Sequence, residues 1–427
     1  MTDRSLDEAL VEKLLEEMRF EFSRVGPPAG FPRFHDVPSE RYTSTEFFDL
    51  ERQHLWTKAW VVAGRVEDVP DTGSYFLFDE LGPPLIVVRG SDHTVRCFSN
   101  TCRHRGAPVV REPTGTVKHL RCQYHAWTYT TDTGELIAVP DERDFVDLCK
   151  DDRALPQVRC ETWGGWIWVN LDPDAQPLLE FLGTVATELD QFNPQDLRLI
   201  GTDHRIMNCN WKVAVEAFLE VYHLRHIHKS GNLPELDNRG ATMGLLPNGS
   251  SRMVTPFSKQ SAELLGMDGW DDLREFAAKD GLASIPSAHP IIHSARYSFT
   301  VFPNLVIPLG AAGFPFLVFF PIDVATTHIR IFHYGPGWGE GDPPDAWAGR
   351  ISAFGAIIDE DVENLDPMQR AMESPLYSGV PLSYQERRIW YFHEMIDQLI
   401  GPERIPESHR VAQLLGAYVE GSRCATG

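Results

Sequence analysis

The sequence predicts an α+β protein of two unlike parts, a mainly β domain over residues 43–176 and an α+β domain with an antiparallel sheet over residues 177–427. The first part contains short segments rich in Val, Ile, Trp, Tyr and Phe, separated by Gly, Asp and Pro; examples are SYFLF, PLIVVRG, TVRCFSN and WGGWIWVNL. In the second part, helical patterns alternate with strand-like segments such as YSFTVF, FLVFFPI and HIRIFHY, which is typical of an α+β domain. A chain of 427 residues is long enough for two or three domains.

A helix and a connector occupy residues 1–42, and we expect them to pack on the C-terminal domain. Ser5 and Glu8 fit a capping box at the start of this helix, and the segment RVGPPAGFP is a Pro- and Gly-rich connector. The apolar stripe of the helix consists of Leu6, Leu10, Leu14 and Met18. At the other end of the chain, a second capping box at Ser383 opens a terminal helix that ends before Gly401.

The composition excludes several classes of function. The formal net charge of −22, from 39 basic and 61 acidic residues, opposes bulk attraction to nucleic acid or to an anionic membrane. The N-terminus lacks the basic start and apolar run of a signal peptide. The apolar region from Val301 to Ile322 contains four prolines, so it predicts buried strands and turns and not a membrane-spanning helix. Without an export signal, the seven cysteines indicate reduced thiols, and we expect a cytoplasmic protein.

Two short motifs each bring one cysteine and one histidine together. In the first, Cys102 and His104 are two residues apart and can point to the same side of an extended segment. In the second, a tight turn allows Cys122 and His125 to do the same. Two Cys and two His fit either a structural zinc site or a [2Fe–2S] cluster with two Cys on one iron and two His on the other. The surrounding Gly, Pro and aromatic residues inside a large β domain favour the cluster. The remaining cysteines are expected to be buried small side chains: Cys97, Cys149, Cys160, Cys209 and Cys424.

A second constellation lies in NWKVAVEAFLEVYHLRHIHKS, residues 210–230. On a helix, a polar ridge of Lys212, Glu216, Glu220 and His223 would share one face of an otherwise apolar, buried segment. One interpretation is a Lys212–Glu216 ion pair beside a hydrogen-bonded core histidine. His228 argues against it, because it follows His223 by five residues and so requires the helix to end or bulge between them. Two histidines here suit a ferrous-iron site that also needs one carboxylate. His226, Asp203 and His204 are weaker candidates, because His226 is flanked by charged residues and the other two lie in a strand-like segment.

The carboxylate is expected from the segment AFGAIIDEDVENLDPMQ. Asp361 falls on the apolar stripe of this helix, which consists of Phe354, Ile358, Asp361, Leu365 and Met368. An inward carboxylate needs a partner, and a metal ion is a suitable one. We interpret Asp359, Glu360 and Glu363 as a solvated helix face.

The motifs together resemble a known family. NTCRHRGAP…CQYHAWTY is similar to the cluster-binding part of the Rieske non-haem iron oxygenases, the aromatic-ring-hydroxylating dioxygenase α-subunit type, as are the lead-in YTSTEFFDLERQHLWTKAWVVAGRVEDVP, the NWK motif and Gln369 after the acidic helix. The resemblance implies an all-β Rieske domain followed by a helix-grip (START-like) catalytic domain. It assigns a [2Fe–2S] cluster to Cys102, His104, Cys122 and His125, and a mononuclear Fe(II) to His223, His228 and Asp361.

The resemblance also gives Glu220 a catalytic role as the acid that bridges the two iron sites, across a subunit boundary in a head-to-tail homotrimer. Most relatives have Asp at this position, and some that oxidise N-methyl groups of quaternary ammonium compounds have Glu. Many relatives also have Asn where this chain has Ala217. Both differences leave the substrate class open.

The implied function is that of a terminal oxygenase component. It would use O2 and electrons from a separate NAD(P)H-dependent reductase, with or without a ferredoxin, because the chain has no evident nucleotide-binding Gly-rich loop. The apolar strands YSFTVFPNLVIPL and FPFLVFFPI are expected to form walls of a substrate pocket, which suits an aromatic or other apolar molecule. The resemblance implies that this substrate undergoes cis-dihydroxylation or monooxygenation. Two alternatives stay open: a monooxygenase of quaternary ammonium or N-/O-methyl substrates, and an electron-transfer protein whose second domain only binds a ligand. The resemblance is compatible with a homotrimer of this chain alone and with a trimer that also contains a β subunit.

Overall fold

The protein is described by a computed structural model that covers residues 6–229, 236–258 and 282–421. The chain divides into two compact units, one of Trp56–Glu180 and one of Met1–Leu55 with Phe181–Gly427. Residues 43–55, which the sequence pattern assigns to the β domain, belong to the larger unit. The reason is burial: Glu51 has no exposed side-chain surface, and its Oε1 lies 2.6 Å from Nζ of the equally buried Lys212.

The smaller unit is built from antiparallel β-strands. Its strands, numbered along the chain, are β1 (Val61–Arg65), β2 (Ser74–Phe78), β3 (Leu85–Arg89), β4 (Val95–Ser99), β5 (Thr114–Thr116), β6 (Leu120–Arg121), β7 (Thr128–Tyr129), β8 (Leu136–Ala138), β9 (Gln157–Trp163) and β10 (Trp166–Asn170). Seven of them form one sheet in the order β1-β10-β9-β4-β3-β2-β5, and the short strands β6, β7 and β8 form a second sheet. Alternating apolar residues of these strands point into the core, where Ile86, Phe98 and Tyr129 are fully buried.

The larger unit contains a second antiparallel sheet. Its strands are β11 (Leu197–Met207), β12 (Thr242–Leu245), β13 (Ser251–Pro256), β14 (Ala295–Val301), β15 (Leu305–Leu309), β16 (Phe314–Asp323) and β17 (Thr326–Pro336). Within the described ranges they are ordered β11-β17-β16-β15-β14-β13-β12. The predicted combination of an all-β part and an α+β part on an antiparallel sheet is confirmed. The proline-containing region 301–322 forms buried strands and turns, as predicted.

The described residues also form α-helices, several of which pack against this second sheet. They are α1 (Glu8–Ser23), α2 (Glu40–Thr43), α3 (Thr45–Leu50), α4 (Leu178–Leu182), α5 (Thr184–Leu189), α6 (Trp211–Glu216), α7 (Leu224–Ile227), α8 (Ile291–Ser294), α9 (Ala346–Met372) and α10 (Arg387–Ile400). The long helix α9 contacts β11, α2 and α6. None of the helices among the described residues is long and apolar enough to cross a membrane.

The ends of the helices agree in part with the sequence. The Asp7 side chain caps α1 by accepting a hydrogen bond from the backbone N–H of Ala9 at 3.0 Å, whereas the predicted capping residue Ser5 lies outside the described residues. The capping box of Ser383 and Glu386 is confirmed, and α10 ends at Ile400, just before Gly401.

The segment 210–229 contains an interrupted helix, as its pattern predicts, but the interruption comes earlier than the predicted position between His223 and His228. Asn210 caps α6, since its side chain accepts the backbone N–H of Lys212 at 3.0 Å, but the helix already ends at Glu216. Turns follow, and the short helix α7 lies between His223 and His228. The Lys212–Glu216 ion pair, the interpretation that the sequence argued against, does not form, because Lys212 binds the distant Glu51.

Candidate functional site: two metal centres and a cavity

The two Cys–His motifs form a pair of loops with the same backbone pattern. The backbone N–H of Cys102 donates to the carbonyl of Ala107, and that of Cys122 donates to the carbonyl of Trp127, both at 2.9 Å. In each loop the residue four positions after the cysteine has a positive φ, 74° at Gly106 and 57° at Ala126. A left-handed residue lets the chain turn tightly, so each loop folds back around its Cys and His.

The four side chains of these loops converge with the sulfurs inside and the imidazoles outside. Cys102 and Cys122 are 3% and 2% exposed, whereas His104 is partly exposed and His125 is exposed. The Nδ1 atoms of the two histidines are 3.1 Å apart. Burial raises the pKa of the Cys102 thiol, and a bound cation would favour the thiolate that metal ligation needs. The donor set therefore fits a [2Fe–2S] cluster whose histidine side faces solvent.

Tyr129 and Trp127 support this centre, and the Cys–His spacing gives no sign of the role of Tyr129. The Tyr129 hydroxyl lies 3.2 Å from Sγ of Cys102 and accepts the backbone N–H of Arg103 at 3.0 Å. The Trp127 ring stacks on His104 with a centroid distance of 4.9 Å. Hydrogen bonds to the sulfurs are among the features that set a cluster's reduction potential.

The other cysteines are not all buried. Cys97 and Cys209 are buried as predicted, but Cys149 is exposed and Cys160 is partly exposed. Cys424 lies outside the described residues. The expectation for Cys149 is wrong because it lies in a surface stretch between short turns, where its side chain meets solvent.

The second centre brings together His223, His228 and Asp361. The Nε2 atoms of the two histidines are 3.2 Å apart, and Oδ1 of Asp361 lies 3.4 Å from Nε2 of His228 and 3.7 Å from Nε2 of His223. The turn of α7 makes this possible, because it reverses the chain between the two histidines. Of the weaker candidates, His226 and His204 are exposed, and Asp203 forms a 2.5 Å ion pair with Arg205.

The geometry of this triangle fits a metal ion. A point about 2.0 Å from all three ligand atoms exists at its centre, which matches usual metal–nitrogen and metal–oxygen bonds of roughly 2.0–2.2 Å. Asp361 is 3% exposed, and its Oδ1 has no hydrogen-bond partner among the described residues. Burial raises the pKa of Asp361 to about 7. A cation satisfies an unpaired, buried carboxylate oxygen of this kind, and two His with one carboxylate is the ligand set of a mononuclear non-haem iron.

Each histidine contacts a carboxylate through its Nδ1 atom, the ring nitrogen that does not face Asp361. Nδ1 of His223 contacts Oε1 of Glu220, and Nδ1 of His228 lies 3.0 Å from Oε2 of Glu360. Burial lowers the pKa of His223, but the neighbouring Glu220 carboxylate outweighs it, and the pKa is raised overall. Such contacts fix which ring nitrogen faces a metal.

Glu360 corrects the sequence-based interpretation of the acidic helix. Only Asp361 was expected to face inward, but the side chain of Glu360 also reaches His228 and accepts the backbone N–H of Lys229 at 3.2 Å. The helical pattern of α9 could not reveal this contact, because His228 and Lys229 are distant in sequence and periodicity within one helix does not show what packs on it. Asp359 instead pairs with Arg205 at 3.1 Å, and Glu363 is exposed.

A buried polar network ties α6 and α9 to the N-terminal segment. Gln369 accepts the backbone N–H of Asn210 at 2.9 Å, which links the helix that carries Asp361 to the start of the histidine segment. The Tyr42 hydroxyl lies 3.0 Å from both carboxyl oxygens of Glu216, and Nε2 of His393 is 2.9 Å from one of them. These contacts connect the two segments that carry the candidate metal ligands.

The His223, His228 and Asp361 side chains open onto one cavity of about 340 Å³ within the larger unit. Its walls are mainly apolar, and they include Phe218, Leu224, Met253, Phe257, Leu309 and Phe354. Strands β14 and β15 contribute to these walls, as predicted from their apolar pattern. The size and lining are those of a small-molecule site.

Comparison with known proteins agrees with both centres. The family model of the ring hydroxylating alpha subunit (catalytic domain) matches residues 188–401, and that of the Rieske [2Fe-2S] domain matches residues 59–158. The chain is 29% identical to the 2-aminobenzenesulfonate 2,3-dioxygenase subunit alpha of Alcaligenes sp. over 66% of this chain and 69% of the relative. It is 30% identical to the glycine betaine monooxygenase oxygenase subunit of Chromohalobacter salexigens over 48% of this chain and only 44% of the relative.

A solved structure shares the fold. Naphthalene 1,2-dioxygenase from Rhodococcus sp. superimposes with a TM-score of 0.68 at 22% identity, over 92% of this chain and 98% of that one. A β domain with a Cys–His cluster site, followed by a cavity with a two-histidine, one-carboxylate site, defines an iron-dependent oxygenase. The chain belongs to the Rieske non-haem iron oxygenases of the ring-hydroxylating alpha-subunit family, whose cofactors are a [2Fe–2S] cluster and a mononuclear iron.

Proposed function

We propose that this chain is the terminal oxygenase of a multicomponent system that hydroxylates an apolar, aromatic substrate. The chemistry that the bound groups supply is one-electron transfer at the cluster and O2 activation at the mononuclear iron. The observation that carries the proposal is the position of His223, His228 and Asp361 in the wall of an apolar cavity. A site of that kind serves an enzyme, whereas an electron carrier has no need of a second metal-ligand set beside a cavity.

We assign the cluster to Cys102, His104, Cys122 and His125, and the mononuclear iron to His223, His228 and Asp361. The buried sulfurs and outward imidazoles support the first assignment, and the 3.2–3.7 Å triangle of ligand atoms supports the second. Glu220 holds His223 through Nδ1 and is partly exposed, which suits an acid that couples the iron to a redox partner outside the cavity.

The chain's own residues prepare the cavity for the reaction. Glu220 and Glu360 orient the histidines so that both Nε2 atoms face Asp361. The apolar side chains exclude water around the bound substrate, which strengthens electrostatic interactions in the site and prevents side reactions. We propose that the electrons come from an NAD(P)H-dependent reductase, with or without a ferredoxin. We also propose that the chain forms a head-to-tail homotrimer, with or without a β subunit.

A second candidate is a monooxygenase of N-methyl or quaternary ammonium compounds. Glu220 favours it, because the resemblance links Glu at this position to that chemistry, and one curated relative is named as a glycine betaine monooxygenase oxygenase subunit. Ala217 lines the cavity beside Phe218. Many relatives have Asn at this position, so the wall here lacks the amide side chain that they have. Aromatic side chains such as Phe218 and Phe257 would offer a cation the faces that attract it.

The test measures iron and oxygen together. Purified holoenzyme should contain both a Rieske-type electron-spin-resonance signal and one additional iron per chain after loosely bound ions are removed. O2 uptake with a surrogate reductase should then rise when aromatic compounds are added, and rise less with quaternary amines. Iron confined to the cluster would favour an electron-transfer protein, and a response to quaternary amines alone would favour the second candidate.

A further inference from the structure

Two arginines lie at the end of the cavity remote from Asp361. Arg296 lies on β14 and Arg350 on α9, so two separate elements bring their guanidinium groups to one part of the wall. A Cβ atom built on Gly310 would lie 2.5 Å from Nη2 of Arg350 and 3.7 Å from Nη1 of Arg296. Both guanidinium groups therefore reach the same glycine, which leaves them the room that a side chain would fill.

Helix geometry separates this end of the cavity from the iron ligands. Arg350, Phe354, Ile357 and Asp361 all line the cavity, and their steps of four, three and four place them on one face of α9. The stretch from Arg350 to Asp361 corresponds to about 16 Å of helix axis. The Arg350 guanidinium also lies 5.1 Å from the ring centroid of Trp347, one turn further from Asp361. The cavity is therefore elongated.

The described lining residues at the two ends of the cavity differ in charge. Among the described residues that line it, the carboxylates are Glu220 and Asp361, both at the end with the histidines. At the arginine end, burial lowers the pKa of His333 to about 4, so this imidazole is neutral near pH 7. The positive charge there belongs to the two guanidinium groups, which stay protonated in proteins.

We propose that the substrate is an elongated aromatic molecule with a carboxylate or sulfonate at one end, and that Arg296 and Arg350 bind this group. The inference rests on the proposed function, because it takes this cavity as the substrate site. A guanidinium binds such an anion through two parallel hydrogen bonds, which fix its direction as well as its position. The aromatic part then lies along Phe354 and Ile357, and the carbon to be oxidised lies beside His223. A molecule that reaches both ends is longer than one aromatic ring.

Three probes test the proposal by calorimetric titration of the holoenzyme: biphenyl-4-carboxylate, its neutral carboxamide, and benzoate. We expect the biphenyl carboxylate to bind about tenfold more tightly than the carboxamide, because only the carboxylate forms charge-assisted hydrogen bonds. Benzoate should bind more weakly than the biphenyl carboxylate. Arg296→Gln and Arg350→Gln should each remove most of the preference for the carboxylate, measured as the ratio of the carboxamide and carboxylate dissociation constants. Arg198→Gln is the matched control, since Arg198 is exposed beside Trp338 and outside the cavity.

Equal binding of the carboxylate and the carboxamide by the unaltered protein would overturn the proposal, as would a preference that survives in both variants or no binding of the carboxylate at all. Circular dichroism of each variant reports whether the larger unit is folded. If a glutamine variant is not folded, the corresponding Arg296→Lys or Arg350→Lys variant replaces it, and it should keep part of the preference for the carboxylate because it keeps the positive charge. Substrate-dependent O2 uptake separates the two proposals. Equal uptake with acid and amide contradicts only the anion site, whereas selective binding of the acid without any uptake contradicts only the oxygenase function.

Discussion

Glu360 gives the sharpest test of how the iron site is held. Its Oε2 lies 3.0 Å from Nδ1 of His228, and its two carboxyl oxygens each accept the backbone N–H of Lys229 at 3.2 Å. The carboxylate therefore fixes both the ring of His228 and the backbone that follows it. We expect Glu360→Gln and Glu360→Ala to weaken iron binding without unfolding the domain.

The size of the effect follows from these contacts. Loss of a hydrogen-bonding partner behind a metal-ligating histidine costs roughly 10–100-fold in metal affinity, or about 1.4–2.7 kcal/mol. Glu360→Gln keeps one oxygen acceptor for His228 or Lys229 but loses the charge, so its loss should be near the lower end, about tenfold. Glu360→Ala removes every acceptor and should be near the upper end, about 100-fold.

The assay incubates each variant with Fe(II) and increasing concentrations of a chelator, and then measures the iron that stays bound to the protein. The absorbance of the cluster, which is bound in the other compact unit, serves as an internal measure of intact protein. Glu363→Gln is the matched control, because Glu363 is an exposed acid on the same helix, three residues further along. The reasoning is wrong if both Glu360 variants keep iron as well as the unaltered protein does, or if Glu363→Gln loses it equally.

Four further outcomes are expected. Asp361→Ala should lose the mononuclear iron and keep the cluster, as iron analysis and spin resonance would show. An unchanged iron content would mean that another residue supplies the carboxylate ligand. Glu220→Gln should lower substrate-dependent O2 uptake with both iron sites filled, so full activity would refute the coupling role. Lys212→Met should destabilise the fold by about 3–5 kcal/mol in denaturant unfolding, because it leaves Glu51 charged and buried, and Glu51→Leu in the same chain should restore most of the loss. Burial raises the pKa of Glu216 from its ordinary value of 4.5 to about 8, so this group opposes folding increasingly as pH rises through that window. Glu216→Gln should therefore gain stability relative to the unaltered protein between pH 5 and 9, and a constant difference would contradict the assigned pKa.

The sequence by itself determined which side chains form the two candidate metal sites, whereas the choice of a [2Fe–2S] cluster over zinc needed the context of the motifs and the family resemblance. The Cys and His of the first candidate site lie two and three residues apart within single loops, and such short spacings favour convergence of those side chains. The same holds for His223 and His228, whose five-residue separation requires an interrupted helix. The place of Asp361 in an apolar stripe predicts its burial, which the structure confirms, although Met368 of the same stripe is 44% exposed. The alternation of strands and turns likewise determined the fold class, because the period of apolar residues reflects which face meets the core.

The tertiary structure alone decided which distant groups meet. Lys212 has a charged neighbour four residues away in Glu216, yet it pairs with Glu51, 161 residues earlier. Glu360 looks like a solvated acid in the helical pattern and instead holds His228. Arg296 and Arg350 come from a strand and a helix far apart in the chain and reach one glycine. Contacts of this kind depend on how elements pack, and side-chain periodicity within one element carries no information about the element that it faces.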